Sequence, residues 1–505
     1  MAGVAREGWR VGEGIAVPSD GADAVWDQLK TWFDKHRGAA AATVNRGRGA
    51  ELSMEKKQRQ YDSDNGTGGN DGGTGVRKGG VMVFEDRRKA IVDAVRWAWS
   101  GYTAHAWGKD ELMPLTRRGK DSFGLGLTIV DSMDTLWLAG EKKSFDRCVE
   151  WVDQSLDVEQ DKTINVFETT IRVLGGLLAA YHLSGEDVLL RKAERLGQQL
   201  ANAFCSPSGI PFSDVNLSSG RAFNPTMSPG SSLSEATTLQ LEFSYLSYLT
   251  GNAYFHETAQ RASDAVETAR LELGWEGSKK AGLAPVFVDP GLGLFGESGG
   301  SVGVGSTRVT LGARGDSYYE YLLKQWLLSG KRDTKYLERY QEAIRGVEAS
   351  LLERSHPSRL SFIGELDLGV FRPKMDHLVC FLPGTLALGY HEGAAGTAGD
   401  KHLELARSLI DTCMYETTAT GLAPEIVHFN QNSRSASGDD DIILKRLDKH
   451  NILRPETLES LYYLYWITRE ECYRDSAWAI FQAFERHCRV DRGGYAGLED
   501  VTDVS

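Results

Sequence analysis

The chain repeats one unit along most of its length: a strongly apolar helix, a short loop and an amphipathic helix. The first member of each pair is apolar nearly all round, as in IRVLGGLLAAYHL from Ile171, which is the pattern of a fully buried helix. The second carries its charges on one face, as in DVLLRKAERLGQQLANAF from Asp187. Buried helices that alternate with amphipathic ones predict a double-layered, all-α barrel, with short β-hairpins in the loops.

The connections of this barrel are unequal in length. Short loops after Gly185, Gly251 and Gly330 join each inner helix to its outer partner. The return connections are long and rich in Gly, Pro, Ser and Asp, and they span residues 205–234, 271–315 and 421–455. Because long loops concentrated at one end of a scaffold usually carry function, we expect the functional site where the inner helices begin.

Four acidic residues recur near the beginning of successive inner helices, namely Glu168, Glu235, Asp316 and Glu456. If these helices run in the same direction around the barrel, their acids share one rim. A single acid in the first turn of a helix is more often a cap or a partner of the helix dipole than a catalytic group. Recurrence at four positions favours a functional cluster instead.

Two arginines lie close to these acids in the sequence, and the sequence does not decide whether they are functional or structural. Arg172 and Arg454 lie within four residues of Glu168 and Glu456. An arginine beside a carboxylate holds its charge and its geometry, as a catalytic base or a sugar site requires. A plain salt bridge would give the same pattern.

Charge and composition exclude some classes of function. The net charge is −13, with 57 Lys and Arg against 70 Asp and Glu, so the field of the protein disfavours binding to nucleic acid or to an anionic membrane. No segment approaches the roughly 18 apolar residues of a membrane span, and the first residues lack the apolar core of a signal peptide. Two sequons, Asn65-Gly-Thr and Asn216-Leu-Ser, would be glycosylated only in a secreted protein.

The domain organisation changes near residue 84. Residues 1–84 contain the Gly-rich segment SDNGTGGNDGGTGVRKGG and are expected to be mostly disordered, with a short helix beginning at Asp23. Residues 85–505 are expected to form one barrel domain. The Gly-rich stretch within 271–315 has no GxxxxGK[ST] motif, so it does not indicate nucleotide binding.

Seven ordered blocks of sequence carry a much more specific signal than this periodicity. They are GLGLTIVDSMDTLWLAG, FETTIRVLGGLLAAYHLSG, SEATTLQLEFSYLSYLTG, GARGDSYYEYLLKQW, HLVCFLPGTLALG, GLAPEIVHFN and LRPETLESLYYLYWIT. In this order the chain resembles the class I alpha-1,2-mannosidases, glycoside hydrolase family 47, over about residues 87–500. The details are closer to the processing enzymes of the endoplasmic reticulum and Golgi than to the degradation-enhancing branch.

The resemblance implies an (αα)7 barrel that removes terminal alpha-1,2-linked mannose from high-mannose N-glycans with inversion. Glu168 of FETTIR resembles the general acid, Glu456 of RPET the base that activates water, and Asp316 of ARGDS the third catalytic carboxylate. Which of Glu168 and Asp316 is the acid stays open. Neighbouring carboxylates are expected to raise the pKa of the acid, while a nearby arginine keeps the base ionised.

The same resemblance assigns further residues. Those that match sugar-binding or supporting positions are Arg172, Glu235, Arg314, His377, Glu425, Arg454 and Glu459. His377 alone would more often be a core histidine, and His428 could equally well lie inside or outside the site. Cys380 and Cys413 match the internal disulfide of the family, which requires an oxidising compartment. A monomer in the lumen of the endoplasmic reticulum or Golgi is expected.

The end of the chain departs from the family pattern. Family members continue after the stretch resembling GGYAGLEDVTDVS with a further inner helix and a calcium-ligating Thr, whereas this sequence reaches Ser505 first. We therefore expect an incomplete last helical hairpin, no identifiable ligand for the implied Ca²⁺, and a solvated loop at Asp439, Asp440 and Asp441. The alternative to an enzyme is a glycan-binding, lectin-like protein of the same fold, and the presence of all three carboxylates favours the enzyme.

Overall fold

A computed structural model describes residues 81–225, 228, 230–296, 308–431 and 440–504. The predicted Gly-rich extension before residue 81, the short helix from Asp23 and the sequon at Asn65 lie outside these residues. The first described helix, α1, runs Val81–His105 and packs beside the last helix of the chain.

Helices make up two layers. The inner segments are α2 Leu127–Asp131 with α3 Met133–Leu138, α5 Val166–Glu168 continued by a π-helical turn Thr169–Leu174 into α6 Gly175–Ser184, α8 Leu233–Thr237 with α9 Gln240–Thr250, α11 Asp316–Leu328, α13 Leu382–His391, and α15 Glu456–Thr468. The outer helices are α4 Lys142–Ser155, α7 Asp187–Ala201, α10 Ala253–Leu271, α12 Thr334–Ser350, α14 Gly399–Tyr415 and α16 Glu471–His487. Each inner segment is followed by its outer partner.

Packing follows the apolar pattern of each helix. The outer helix α7 buries Leu189, Ala193, Leu196 and Leu200, a single stripe at helical spacing, whereas α6 buries residues on several sides. A Cβ on Gly176 would lie 2.8 Å from the carbonyl oxygen of Val130, so this glycine lets α6 approach α2 closely. The inner helices pack side by side in the order α3, α6, α9, α11, α13 and α15. The predicted all-α, two-layered barrel is confirmed.

Short antiparallel strands occupy the long loops, as predicted. They are β1 Glu111–Met113, β2 Arg118–Lys120, β3 Thr163–Asn165, β4 Asp214–Asn216, β5 Ala222–Phe223, β6 Ser231–Ser232, β7 Phe287–Asp289, β8 Leu294–Phe295, β9 Leu352–Arg354, β10 Ser361–Ile363, β11 Glu365–Asp367, β12 Val370–Arg372, β13 Lys374–Asp376, β14 Ile426–Phe429 and β15 Ile442–Ile443.

In three of these sheets, one strand ends directly before an inner helical segment. In sheet β3-β4-β5, strand β3 ends at Asn165, the residue before α5. In sheet β6-β7-β8, strand β6 ends at Ser232, the residue before α8. In sheet β13-β14-β15, Asp376 precedes a 3₁₀ turn at His377–Phe381 that continues into α13. The sheets therefore fix the beginnings of three inner helices at one end of the barrel.

A disulfide ties the two layers together in the second half of the chain. Cys380 in the 3₁₀ turn is bonded to Cys413 of α14, with their Cα atoms 6.1 Å apart. The predicted pairing is confirmed. Cys148, Cys205, Cys472 and Cys488 are free thiols.

The acidic residues near position 440 were predicted to lie in a solvated loop, and the structure differs from this prediction at Asp441. Asp441 is 1% exposed, and its carboxylate accepts hydrogen bonds from the Ser355 hydroxyl and the backbone N–H of Ser358. The prediction of a solvated loop is wrong for this residue, because the hydroxyl and amide donors compensate its burial. Asp440 is exposed, and Asp439 lies outside the described residues. Within the described part of the chain, no helix is long and apolar enough to cross a bilayer.

Candidate active site

The recurring acids meet around one cavity. A cavity of about 490 Å³ lies where the inner helices begin. It is lined by Phe167, Glu168, Ile171, Arg172, Ser232, Ser234, Glu235, Ala313, Arg314, Asp316, Ser317, Glu320, Leu378, Phe381, Arg454, Glu456 and Glu459. Glu168, Glu235, Asp316 and Glu456 thus share one rim, contributed by four different inner helices.

Glu168 is held by a cap and by an arginine. The side chain of Asn165 caps α5 by accepting a hydrogen bond from the Glu168 backbone N–H at 2.9 Å. One turn later, Arg172 Nε donates to Glu168 Oε2 at 2.7 Å. Arg172 belongs to the π-helical turn, a geometry that is rare in helices and frequent at functional sites.

Asp316 is the first residue of α11 and points to the neighbouring inner helix. Its Oδ1 accepts hydrogen bonds from the Ser234 hydroxyl and from the Ser317 backbone N–H, both at 2.7 Å. Burial raises the pKa of this carboxyl, and the two donors offset only part of the increase. Asp316 therefore holds a proton more readily than an exposed aspartate.

Glu456, the first residue of α15, is oriented by His377. His377 Nδ1 lies 3.1 Å from Glu456 Oε2, and His377 Nε2 lies 3.2 Å from the Thr457 hydroxyl. The histidine is 6% exposed. Since both ring nitrogens have a partner, the imidazole is fixed in orientation and in turn fixes the carboxylate.

Arg454 does not contact Glu456 directly. Its Nε donates to Glu425 Oε1 at 2.5 Å, so the arginine forms a salt bridge with a residue of the preceding loop. Burial opposes the charge of Arg454, but the hydrogen bond and attraction from Glu425, with smaller attraction from Glu456, raise its pKa. Arg454 thus supplies positive charge near Glu456 from within a pair with Glu425.

Glu235 has a structural function in addition to its place at the cavity. Ser232 and Glu235 form a reciprocal capping box at the start of α8, in which Glu235 Oε2 accepts from the Ser232 N–H at 2.9 Å. Its other oxygen accepts from Asn165 Nδ2 at 3.0 Å. The structural interpretation of an acid in the first helical turn therefore applies to Glu235.

A half-buried lysine lies between two further carboxylates. Lys324 Nζ lies 3.6 Å from Glu459 Oε1 and forms a shorter ion pair with Glu320. Burial disfavours the lysine charge, yet the attraction of these two carboxylates raises its pKa. Burial also raises the pKa of Glu459, against the attraction of Lys324. Glu320 and Glu459 are thus paired with a cation at the bottom of the cavity.

Arg314 stands at the cavity edge on a strained backbone. Its φ is 78°, in the left-handed region that non-glycine residues rarely occupy. The guanidinium lies 5.0 Å from the ring centre of Phe287, and the neighbouring Ala313 N–H donates to Asp376 Oδ2 at 3.2 Å. Arg314 is one of the residues that line the cavity.

Comparison with known proteins identifies the family. Residues 94–505 match the family model described as glycosyl hydrolase family 47. The chain belongs to glycosyl hydrolase family 47.

Relatives and a solved structure agree with this assignment. The endoplasmic reticulum mannosyl-oligosaccharide 1,2-alpha-mannosidase of Homo sapiens is 48% identical over 83% of this chain and 57% of that protein. MNS3 of Arabidopsis thaliana, a mannosyl-oligosaccharide 1,2-alpha-mannosidase, is 42% identical over 83% of this chain and 72% of its own length. The alpha-1,2-mannosidase from Trichoderma reesei superposes with a TM-score of 0.73 at 27% identity, covering 83% of this chain and 88% of that structure.

The chain is shorter than several of these family 47 proteins. It spans 57% of the human protein and 60% of its Mus musculus counterpart. The activity and substrate of the whole protein are accordingly taken up below as proposals.

The residues assigned by resemblance fall into two groups: those that line the cavity and those that lie behind the lining residues. Arg172, Glu235, Arg314, Arg454 and Glu459 line it, together with the three carboxylates proposed for catalysis. His377 and Glu425 lie behind them, and each contacts one lining residue. His428 pairs with Asp448, with 3.0 Å between Nε2 and Oδ2, and is not among the lining residues.

Sequence reasoning missed several polar residues of this site, among them Glu320, Asn165 and Ser234. Glu320 lies one helical turn after Asp316, so the i, i+4 spacing could have indicated it. Asn165 occupies the N-cap position three residues before Glu168, a spacing typical of helix caps. Ser234, which donates to Asp316 from another helix, has no comparable signal because the two are 82 residues apart.

The described residues do not form a calcium site. No group of three or more His, Cys, Asp or Glu side chains within them could hold a metal ion. The two carboxylates at the bottom of the cavity, Glu320 and Glu459, are paired with Lys324 instead of converging on an empty centre. The donor set present in this part of the chain therefore does not fit the Ca²⁺ that the family resemblance implies.

Proposed function

We propose that this protein hydrolyses terminal alpha-1,2-linked mannose from high-mannose N-glycans with inversion. The observation that supports this most strongly is the meeting of Glu168, Asp316 and Glu456, from three inner helices, around one cavity. The names of its family 47 relatives support the same reaction. They also favour an enzyme over a lectin-like protein.

Inversion needs two carboxyl groups with different tasks. One protonates the departing glycosidic oxygen, and the other takes a proton from a water molecule on the opposite face of the sugar. The two groups stand about 6.5–9.5 Å apart in inverting enzymes, so that water fits between base and sugar. Carboxyl groups on the separate helices α5 and α15 are suited to such a gap.

Glu456 is the proposed base. It takes one proton from the water whose oxygen forms the new bond to C1, while the bond between C1 and the glycosidic oxygen breaks. His377 keeps its carboxylate in one orientation, and Arg454 supplies positive charge nearby.

Glu168 is the proposed acid, and Asp316 is the alternative. Glu168 gives its proton to the leaving oxygen, and the Arg172 contact directs its carboxyl group. The raised pKa of Asp316 favours the proton-carrying form that an acid needs. The residue not used as acid contributes the third carboxylate of the site.

The remaining lining residues suit a polar, neutral substrate. Arg172, Arg314 and Arg454 present donors to sugar hydroxyl groups, and Glu235 and Glu459 present acceptors. The relatives named for the endoplasmic reticulum support that compartment, and we extend the proposal to the lumen of the endoplasmic reticulum or Golgi and to a monomer. Calcium dependence stays a prediction of the family resemblance, to be checked by chelation.

The test is release of mannose from a high-mannose glycan. We expect the chain to release mannose initially as the β-anomer, seen by NMR. Glu456→Gln and Glu168→Gln should each lower kcat by roughly 10²- to 10⁴-fold. Glu257→Gln, at an exposed position of α10, is the matched control and should keep full activity.

Two results would contradict the proposal. Initial release of the α-anomer would exclude inversion, and full activity in both site variants would exclude this pair of carboxyl groups. Glycan binding by the unaltered chain without any release would favour the lectin-like alternative.

A further inference from the structure

The sequon at Asn216 occupies the end of a hairpin strand. Asn216 is the last residue of β4, and Leu217, Ser218 and Ser219 begin the turn that leads to β5. Ser218, the hydroxyl residue of the Asn-x-Ser motif, is exposed, as is Ser219. Turns of this kind at the protein surface are where attached glycans are accommodated.

Alternation along the hairpin directs the Asn216 side chain outward. Val215 and Leu217, its neighbours in sequence, are fully buried. Asn216 is half-buried and stands opposite the exposed Thr163 of β3. Since side chains alternate between the two faces of a strand, Asn216 lies on the solvent face.

The hydrogen bonds of Asn216 are compatible with an attached sugar. Its Nδ2 donates to Asp161 Oδ1 at 2.9 Å, and its Oδ1 accepts from the Ser219 backbone N–H at 2.9 Å. An N-linked glycan replaces one of the two amide hydrogens and leaves one hydrogen and the oxygen in place. Asp161 is itself exposed, so the surroundings leave room for a sugar.

Two observations place the chain in a compartment where such modification occurs. The Cys380–Cys413 disulfide requires oxidising conditions. The relatives from Homo sapiens and Mus musculus are named for the endoplasmic reticulum.

We propose that Asn216 carries an N-linked glycan. Asn216 Nδ2 would form a bond to C1 of an oligosaccharide donated by a lipid-linked diphosphate. The bond between C1 and the diphosphate oxygen breaks, the lipid diphosphate leaves, and the amide loses one proton to solvent. No oxidant or reductant is involved.

The position of this glycan relates it to the active site. Asn165 and Asp214 pair with each other in the same hairpin, two residues inward from Thr163 and Asn216 and on the same face. Asn165 Nδ2 donates to Glu235 Oε1 at the cavity. Two residues of strand correspond to about 7 Å, so a glycan on Asn216 would stand beside the mouth of the cavity.

The experiment translates the full chain behind a cleavable signal peptide in the presence of microsomes. Treatment with peptide-N-glycosidase F should increase the mobility of the protein and convert Asn216 to Asp in its tryptic peptide. Asn216→Gln and Ser218→Ala should abolish both changes at this site. Ser219→Ala is the matched control, because it removes a hydrogen bond of Asn216 but preserves the sequon.

A second variant separates the two sequons. Asn65→Gln should leave the modification of Asn216 intact. Protection from added protease and formation of the Cys380–Cys413 disulfide show that the chain has entered the lumen and folded. An unmodified Asn216 in such protected, oxidised protein would overturn the proposal. The readout does not depend on mannose release, so its failure is distinct from failure of the proposed reaction.

Discussion

Two aspartates whose carboxylates accept backbone N–H bonds have opposite pKa shifts. Asp110, before β1, is fully buried and accepts four backbone N–H bonds, from Phe123 and Gly124 at 2.6 Å, Leu125 at 2.9 Å and Leu127 at 3.1 Å. Burial alone would raise its pKa, but these four donors together lower it. Asp316 receives fewer donors, and its pKa is raised by burial.

The difference separates a structural carboxylate from one that can carry a proton. Four donors stabilise the ionised form of Asp110 so strongly that it serves as a fixed anchor for the loop before α2. Burial raises the pKa of Asp316, which favours the protonated form of its carboxyl. In Asp110 the four donors together outweigh the effect of burial on the pKa, whereas in Asp316 the effect of burial exceeds that of its donors.

The largest expected effect is on activity at Asp316. Asp316→Asn should lower kcat/KM by roughly 10²- to 10⁴-fold, because the amide cannot act as an acid or carry the charge of the third carboxylate. Its free energy of unfolding at pH 7 should stay equal to that of the original protein or increase. Mannose release and urea unfolding measure the two quantities, and a marked loss of stability would remove the contrast with Asp110.

Asp110 should show the reverse behaviour. Asp110→Ala leaves four backbone donors without their acceptor and should lower the free energy of unfolding by about 3–5 kcal/mol. Any loss of activity should follow from unfolding of the loop at residues 122–127. Urea denaturation provides the measurement, and Asp93→Ala on the exposed face of α1 is the control. A change as small as that of the control would show that the four bonds contribute little.

The pH dependence of stability should separate the same two residues. The pKa of Asp110 is lowered on folding, so its stabilisation is present above the unfolded pKa of about 3.9 and is lost as the pH falls through the folded value. The pKa of Asp316 is raised, so its ionisation destabilises the fold as the pH rises above about 3.9. The stability gain of Asp316→Asn should therefore disappear near pH 3. A gain that persists there would contradict this explanation.

The smallest expected effect concerns Ser234. Ser234→Ala removes one of the donors to Asp316 and should raise the pKa of that carboxyl further, while lowering kcat/KM by roughly 10-fold. The limb of the pH–activity profile that reports Asp316 should move to higher pH. Ser100→Ala, on the exposed surface of α1, is the control. An unmoved profile would mean that Ser234 does not act through Asp316.

Much of the architecture followed from local patterns. Helical periodicity predicted the two layers, and the recurring acids predicted a common rim, because helix position and direction are local properties repeated along the chain. The family blocks identified the Cys380–Cys413 pair. Contacts between loops that are distant in sequence could not be predicted from local patterns. The choice of Glu425 as the partner of Arg454, and the burial of Asp441 beneath Ser355, depend on how separate hairpins pack.

The π-helical turn at Thr169–Leu174 has a consequence for insertions and deletions. Each residue of an α-helix advances about 100° around the helix axis. Inserting or deleting one residue therefore rotates the side chains before that point relative to the side chains after it. Glu168 precedes the turn, whereas Gly176, which packs against α2, follows it. Removing one residue from this turn would regularise the helix and turn the carboxyl group away from the cavity. The extra residue therefore sets the rotation between the packed half of the helix and the end that carries Glu168.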